Sequence, residues 1–102
     1  MELKAAAQGD QMHISVAGSI DEIGAQELED HFKRIDLTST KDVILNFKQV
    51  GYIGSAGVGI LLLLYKRVAL HNGRVIIENI PKELYSLLAD DMNLGRVFTL
   101  SS

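Results

Sequence analysis

A glycine-containing segment in the middle of the chain joins two apolar runs of different character. The run before it, Asp42–Phe47, includes three consecutive apolar residues, as expected of a β-strand that is buried on both faces. The run after it, Ile60–Leu70, is long enough and apolar enough for a buried helix. A strand, a short turn and a helix in this order form the unit of a parallel sheet. The pattern therefore favours an α/β fold with Asp42–Phe47 central in the sheet.

The joining segment, Val50–Gly59, places one serine, Ser55, among glycines at the strand-to-helix junction. The backbone N–H groups in the first turn of a helix are unpaired, and the helix dipole favours negative charge there. The junction is therefore a natural place for a phosphoryl group, either bound as a ligand or attached covalently to the serine.

Length and composition narrow the classes of function. At 102 residues the chain forms one domain and is too short for a substrate domain beside a cofactor domain. Its formal net charge is −3 and its ten basic residues form no run, which argues against direct binding of nucleic acid. It has no cysteine, which excludes disulfides, thiol catalysis and cysteine-ligated metal centres.

Neither a secretory signal nor a membrane span is predicted. The first residues lack the order of a basic segment followed by an apolar one. The longest apolar stretch, Val58–Tyr65, is about half of the roughly 20 residues that span a bilayer. We therefore expect a cytoplasmic protein without membrane insertion.

A strand and a helix are predicted before the central strand. Met12–Gly18 alternates apolar and polar residues as a strand does, and a weaker edge strand precedes it. An amphipathic helix follows over Ile23–Ile35, with Asp21 as its N-terminal cap or near-cap. The positions expected to face the core are Ile23, Ala25, Leu28, His31, Phe32 and Ile35. The mostly polar residues 37–41 then form a loop.

The second helix is predicted to begin near Ser55 or Ala56. It should end by residues 71–73, where Gly73 suits the left-handed conformation that terminates many helices. The residues expected on its core-facing stripe are Leu61, Leu62, Tyr65, Val68 and Ala69. The residues left for a rim or a second contact surface are Gly59, Leu63 and Leu64.

A strand, a helix and a short extended tail are predicted to close the chain. The strand covers Arg74–Asn79, Pro81 takes the first position of the third helix, and the tail covers Arg96–Leu100. Parallel strands place their carboxyl ends at one edge of a sheet, where ligands and partners tend to bind. Ser55 should lie at that edge.

Two nucleotide-binding alternatives fail on spacing. Gly54, Gly57 and Gly59 are ordered G-x-x-G-x-G, and not G-x-G-x-x-G as dinucleotide binding requires. A phosphate-loop NTPase fails more plainly, because no Lys-Ser or Lys-Thr follows the glycines. A structural interpretation stays open, in which the small residues let the helix start close to the sheet and Ser55 is its N-cap.

The junction also resembles a known family. Phe47–Leu61 is similar to the central motif of the STAS domain family, which includes the anti-sigma factor antagonists. Gly18–Asp21 resembles the turn before the family's first helix, Gly73–Ile80 its next strand, and Leu94–Phe98 its closing segment. The resemblance implies a single STAS-type α/β domain over residues 1–102. Such a domain has a mainly parallel, mixed sheet of roughly four to five strands, with helices packed mostly on one face.

The function that the resemblance implies is a protein switch. Antagonists of this family bind a serine kinase that also acts as anti-sigma factor and that phosphorylates the start of the second helix; a phosphatase resets them. Ser55 is the hydroxyl residue that remains in this turn as a phosphoacceptor, whereas in many antagonists the modified hydroxyl matches Ala56. Gly54 stands where the family usually has aspartate, Ala56 where it has a second hydroxyl residue, and Asn46 where aspartate is common.

The resemblance places a docking surface around the same serine. The expected partner-binding residues are Asp21, Tyr52, Gly54, Ser55, Ala56, Gly57, Val58 and Leu61. The chain offers no nucleophile with a histidine and an acid, its histidines lack metal-ligand spacing, and no cofactor is expected. The main hypothesis is a non-enzymatic anti-sigma factor antagonist. The alternatives are a constitutive STAS subunit of a membrane transport or other assembly, which Gly54 and Ala56 favour, and a nucleotide-binding protein.

Overall fold

One five-stranded sheet organises the protein. The computed structural model describes residues 1–102. The strands are β1 (Glu2–Gln8), β2 (Gln11–Ile20), β3 (Asp42–Ile53), β4 (Val75–Glu78) and β5 (Thr99–Leu100). They lie side by side in chain order; β1 and β2 pair antiparallel, and the other neighbouring pairs are parallel. The prediction of a mixed, mainly parallel sheet with β3 at its centre is confirmed.

Helical segments connect the parallel strands. Helix α1 spans Glu22–Phe32 and helix α2 spans Ser55–Ala69. The short helix α3, Lys82–Tyr85, continues as wider π-helical turns over Ser86–Asp91, and a 3-10 turn follows at Leu94–Arg96. None of the helices combines the length and the apolar character that crossing a membrane requires.

A single hydrophobic core lies between the sheet and the helices. Ile14 of β2 and Ile77 of β4 are both register partners of Leu45 in β3, and all three side chains are buried. Leu28 of α1 and Leu61 of α2 belong with them to one cluster of 23 buried residues. Because side chains alternate along a strand, this cluster occupies one face of the sheet, and the helices pack there as predicted.

Strand β3 is longer than the sequence predicted. The predicted strand ended at Phe47, whereas the observed strand continues to Ile53 and leaves only Gly54 before α2. Residues 48–49 are both exposed, and the pairing of β2 with β3 shifts register there. Two consecutive solvent-facing residues interrupt the alternation by which a strand is recognised. Val50 and Ile53 return to the core side, but residues 51–52 between them are again both exposed, where the pairing shifts a second time.

The end and the buried face of α2 also differ from expectation. Asn72, and not Gly73, adopts the left-handed conformation after the helix, with φ of 60°. Gly73 instead lies so close to the backbone carbonyl of Lys41 that a side chain has no room. Leu64 is buried and Ala69 is exposed, the reverse of their predicted positions. In so apolar a helix the packing against the sheet, and not periodicity, decides which face is covered.

Smaller corrections apply to the last third of the chain. Pro81 precedes α3 as its N-cap residue with an extended ψ of 146°, so the helix begins at Lys82, one residue later than predicted. The tail pairs as a strand only over Thr99–Leu100, alongside β4. The predicted order of strand, helix and short strand is confirmed.

Asp42 at the start of β3 is joined to the start of β4. Its carboxylate oxygens accept hydrogen bonds of 3.1 Å from both Nη2 and the backbone N–H of Arg74. The hydrogen bond from the Arg74 side chain is the largest influence on the pKa of Asp42, which lies below its ordinary value although burial alone raises it. The contact ties two amino ends of parallel strands together, at the edge opposite Ser55.

Candidate functional site at the carboxyl edge of the sheet

Two turns lie side by side where β2 and β3 end. Ile20 and Ile53 are register partners at the last positions of these strands. Asp21 and Gly54 follow them directly, and the Gly54 N–H donates a hydrogen bond of 2.9 Å to the Ile20 carbonyl. The turn before α1 is therefore fixed against the turn before α2, at the edge where a parallel sheet meets its ligands and partners.

Asp21 caps α1. Its backbone is extended, and its Oδ1 atom accepts a hydrogen bond of 2.8 Å from the Gly24 N–H. Gly24 has no room for a side chain, because a β-carbon there would lie 2.6 Å from the Ser19 carbonyl oxygen. The predicted cap is confirmed, and Asp21 remains exposed at the edge.

Gly54, and not Ser55, is the N-cap residue of α2. Its backbone is extended, with φ of −96° and ψ of 179°, and no side chain caps this helix. The first hydrogen bond of the helix runs from the Val58 N–H to the Gly54 carbonyl at 3.1 Å. The N–H groups of Ser55, Ala56 and Gly57 therefore have no backbone acceptor.

Ser55 is the first residue of α2, and it is exposed. The first turn of the helix contains no acidic residue. A phosphate on the serine would add about 1.5–2 negative charges beside free N–H groups, at the positive end of the helix dipole. The geometry suits a covalent phosphate, and the interpretation of Ser55 as a plain N-cap is wrong.

Three of the residues expected at the docking surface lie beneath it. A β-carbon on Gly57 would lie 2.6 Å from Ile20 Cγ2 and 2.8 Å from Ile53 Cγ1, so α2 starts in close contact with both strand ends. Val58 and Leu61 are buried in the core. These positions hold α2 against the sheet. The remaining expected residues are exposed or half-buried and form the surface of the edge: Asp21, Tyr52, Gly54, Ser55 and Ala56.

Tyr52 lies against Gly54. A β-carbon at residue 54 would be 3.0 Å from Tyr52 Oη and 3.5 Å from its Cε2 atom. The tyrosine is 53% exposed. Its ring thus occupies space that an aspartate side chain at residue 54 would need, and it presents aromatic surface next to Ser55.

The sequence analysis missed one exposed apolar side chain at this edge. Ile23, in the first turn of α1, is 72% exposed. The prediction that it faces the core is wrong. The buried residues of α1 are Gly24, Ala25, Leu28 and Phe32. Gly24 lies about 100° around the helix axis from Ile23, and counting Gly24 as the buried residue leaves Ile23 outside the stripe.

The titratable residues do not gather around Ser55. His13 lies on β2, His31 on α1 and His71 after α2. Burial, and then the positive charge of Arg34, lower the pKa of His31. No group of three or more His, Asp or Glu side chains is arranged to hold a metal ion. What the edge presents is a hydroxyl group, free N–H groups, apolar surface and the carboxylate of Asp21.

Nearly the whole chain, residues 2–102, matches the STAS domain. The chain belongs to the STAS domain family. A STAS-domain containing protein of Pseudomonas aeruginosa strain UCBPP-PA14 is 26% identical over 95 residues, covering 93% of this chain and 92% of that protein.

Solved structures share the STAS fold with this chain. An anti-sigma factor antagonist from Mycobacterium paratuberculosis superposes with a TM-score of 0.77 at 22% identity, covering 98% of this chain and 84% of that one. The Bacillus cell fate determinant SpoIIAA in its phosphorylated form superposes with a TM-score of 0.76 at 17% identity, covering 99% and 92%. At these identities the likeness establishes the fold, and the predicted STAS-type architecture is confirmed.

Proposed function

We propose that this STAS domain is an anti-sigma factor antagonist that acts in a partner switch. The unphosphorylated protein docks on a kinase-type anti-sigma factor through the carboxyl edge of the sheet, and phosphorylation of Ser55 prevents this docking. One observation carries the proposal: an exposed hydroxyl group at the first residue of α2, beside the Asp21 turn and the exposed side chains of Ile23 and Tyr52. Structural neighbours that are anti-sigma factor antagonists support it.

The chemical character of the edge explains how one phosphate would control docking. Ile23, Tyr52 and Ala56 contribute apolar surface whose burial favours association. A phosphate on Ser55 would have to lose its hydration in the same interface, which opposes association. In the free protein the unpaired N–H groups of α2 stabilise the phosphate, so the phosphorylated form stays folded.

In this proposal the chemistry belongs to the partners. The kinase transfers the γ-phosphoryl group of ATP to Ser55 Oγ and releases ADP, and a phosphatase hydrolyses the phosphoserine to serine and inorganic phosphate. The STAS domain contributes recognition: the fixed pair of turns around Asp21 and Gly54 positions Ser55 for both enzymes.

Phosphorylation is tested with the cognate kinase, chosen from the genes that neighbour this one. The protein is incubated with kinase and ATP and its phosphorylated residue is located by tandem mass spectrometry. We expect one phosphate on Ser55, its loss in Ser55→Ala, and no change in Ser86→Ala, which removes another exposed serine. No phosphate, or a phosphate elsewhere, contradicts the proposal.

A constitutive STAS subunit of a multiprotein assembly is the second candidate, and the turn before α2 favours it. Gly54 and Ala56 supply neither the acid nor the second hydroxyl of the antagonists' turn, and Tyr52 occupies the space beside Gly54. In that case the same edge is a permanent interface. The purified complex would then contain transport or scaffold proteins, and Ser55→Asp and Ser55→Ala would bind them equally.

A further inference from the structure

A groove runs between α1 and α2, separate from the Ser55 edge. It encloses a cavity of about 240 Å³, and its lining comes from the second half of α1 and from α2 after its first turn. The apolar residues that line it are Phe32, Ile60, Leu63, Leu64 and Leu70. Phe32 and Leu64 form its floor as members of the core, whereas the others rise toward solvent.

The apolar surface of the groove follows one side of α2. Ile60, Leu63 and Leu70 are spaced by three and seven residues, which places them on one face of a helix. The backbone keeps helical dihedral angles through Leu70, with φ of −62° and ψ of −22°. Leu63 is 50% exposed and Leu70 is 83% exposed. Exposed leucines two turns apart on one face of a helix, beside a groove, are typical of an interaction surface.

Positive charge surrounds this apolar surface. Lys33, Lys66 and Arg67 line the groove together with a single acid, Glu29. Glu29 lies 3.9 Å from Lys33 Nζ, so one lysine is partly compensated. The Arg67 guanidinium donates a hydrogen bond of 2.9 Å to the Phe32 carbonyl, which fixes it across the groove without neutralising it. The groove is therefore locally positive in a chain whose net charge is −3.

We propose that the groove binds an amphipathic helix of a partner protein, with apolar residues on one face and Asp or Glu flanking them. The apolar face would pack on Ile60, Leu63 and Leu70, and the flanking carboxylates would pair with Lys66 and Arg67. Helices dock in grooves of this kind through residues spaced by three, four and seven positions. Opposite charges at the rim set the orientation of the helix and raise the association rate.

Other occupants fit the groove less well. Its volume of about 240 Å³ lies below the roughly 300–1,000 Å³ of sites that enclose a small molecule. A flat anionic membrane would not reach the floor formed by Phe32 and Leu64, and the chain's negative net charge opposes it. A second copy has an acidic helix in α1, but the apolar face of that helix is already buried in its own core.

The inference does not depend on the phosphorylation of Ser55. Ile60 lies five residues after the serine, about 7.5 Å farther along the helix axis. A helix in the groove and a partner at the carboxyl edge therefore contact different parts of α2. The domain would then have two docking surfaces, and only the first would be controlled by Ser55.

The test uses a panel of fluorescent synthetic peptides of about 14 residues, long enough to match the groove as a helix. Each has leucine or isoleucine at positions spaced by three, four and seven, flanked by glutamate; control peptides carry lysine in place of glutamate. Binding to the full chain is measured by fluorescence anisotropy, and the site is located by chemical-shift changes in ¹H–¹⁵N spectra.

We expect the glutamate peptides to bind at least about tenfold more tightly than the lysine peptides, with shifts centred on Leu63 and Leu70. Affinity should fall with added salt because the charges are exposed. Lys66→Glu should weaken the glutamate peptides about tenfold. Lys82→Glu, which reverses the charge of an exposed lysine on α3, is the matched control and should not weaken the binding of these peptides.

Leu63→Ser tests the apolar contribution to peptide binding separately from the contribution of the charges. A thermal melt checks that each variant is folded. The proposal is overturned if no peptide of the panel binds at millimolar concentration, if both charge types bind equally, or if the shifts lie outside the groove. Binding of vesicles of phosphatidylcholine and phosphatidylglycerol through the same residues, in the absence of peptide binding, would also overturn it. A dimer that Leu63→Ser abolishes would assign the groove to a second copy and also overturn it.

Discussion

Tyr52 and Gly54 share one space at the carboxyl edge of the sheet, since a β-carbon at residue 54 would lie 3.0 Å from the tyrosine hydroxyl oxygen. The residue before Ser55 is therefore a glycine, and the side chain of Tyr52 occupies the space beside it. The edge around Ser55 is aromatic and uncharged on this side, with Asp21 as the acid on the other. A phosphate on Ser55 would be the dominant charge between them.

Substituting alanine for the two glycines of α2 is predicted to change the free energy of unfolding in opposite directions. Gly57→Ala should lower the free energy of unfolding by about 1–3 kcal/mol, because its β-carbon would enter the space of Ile20 and Ile53. Gly59→Ala should raise it by about 0.5–1 kcal/mol, because the site is open and alanine favours a helix. Urea unfolding of both variants measures this. Equal effects would show that α2 does not start against the strand ends as described.

Asp21 is predicted to stabilise α1 as a cap. Asp21→Ala should cost about 1 kcal/mol of unfolding free energy, whereas Asp21→Asn, which keeps a side-chain acceptor for the Gly24 N–H, should cost little. Thermal unfolding gives both values. If Asp21→Asn also keeps its affinity for the kinase partner, the carboxylate charge plays no part in docking; selective loss of affinity would add a docking role to the cap.

The Asp42–Arg74 contact predicts how stability changes in acid. The folded pKa of Asp42 is depressed, so the folded protein holds this proton less tightly than the unfolded chain does. The stabilisation is present above the unfolded pKa of about 3.9 and is lost as pH falls through the lower folded value. Asp42→Asn should flatten this part of the profile of unfolding free energy against pH. An unchanged profile would contradict the assignment.

Removal of the other partner gives a second measure of the same contact. Arg74→Met should destabilise the protein at neutral pH by about 1–3 kcal/mol, because it leaves the buried carboxylate with only the backbone N–H as donor. Lys33→Met, which removes a longer and more exposed ion pair with Glu29, is the matched control and should cost much less. Similar costs would mean that burial of Asp42 does not matter.

The exposed apolar side chains of the edge are predicted to serve docking and not stability. Ile23→Ala and Tyr52→Ala should change unfolding free energy little, because both residues are largely exposed. Each should weaken binding to the kinase partner by about 1–2 kcal/mol. Met92→Ala removes an exposed apolar residue that lies after the third helix, and should leave binding unchanged. If all three variants bind the kinase partner with equal affinity, the carboxyl edge of the sheet is not part of the interface.

The order of elements could be predicted from sequence because each has its own local signal. Alternation marks β2, Asp21 marks the start of α1, and the glycines with Ser55 mark the start of α2. The full length of β3 could not be predicted. Its irregular pairing with β2 exposes residues 48–49 in succession, and a register shift is a property of two strands together.

The buried and exposed faces of the helices were predicted less well, also for a physical reason. In the run Leu61–Leu64 every residue is apolar, so periodicity alone does not distinguish buried Leu64 from exposed Leu63. Ile23 was misplaced because Gly24, which packs against the Ser19 carbonyl, has no apolar side chain to mark the buried face. The error at Ile23 hid exposed apolar surface of the carboxyl edge, whereas the exposure of Leu63, which the groove proposal uses, was predicted correctly.

The central claim is tested most directly by titrating the cognate kinase-type anti-sigma factor with unphosphorylated protein and with protein that is phosphorylated on Ser55, using isothermal calorimetry. The account predicts saturable binding of the unphosphorylated form and an affinity at least about a hundredfold lower for the phosphorylated form, because the phosphate must be desolvated in the interface. Circular dichroism should show that both forms are equally folded. Equal affinity of the two forms would contradict the account.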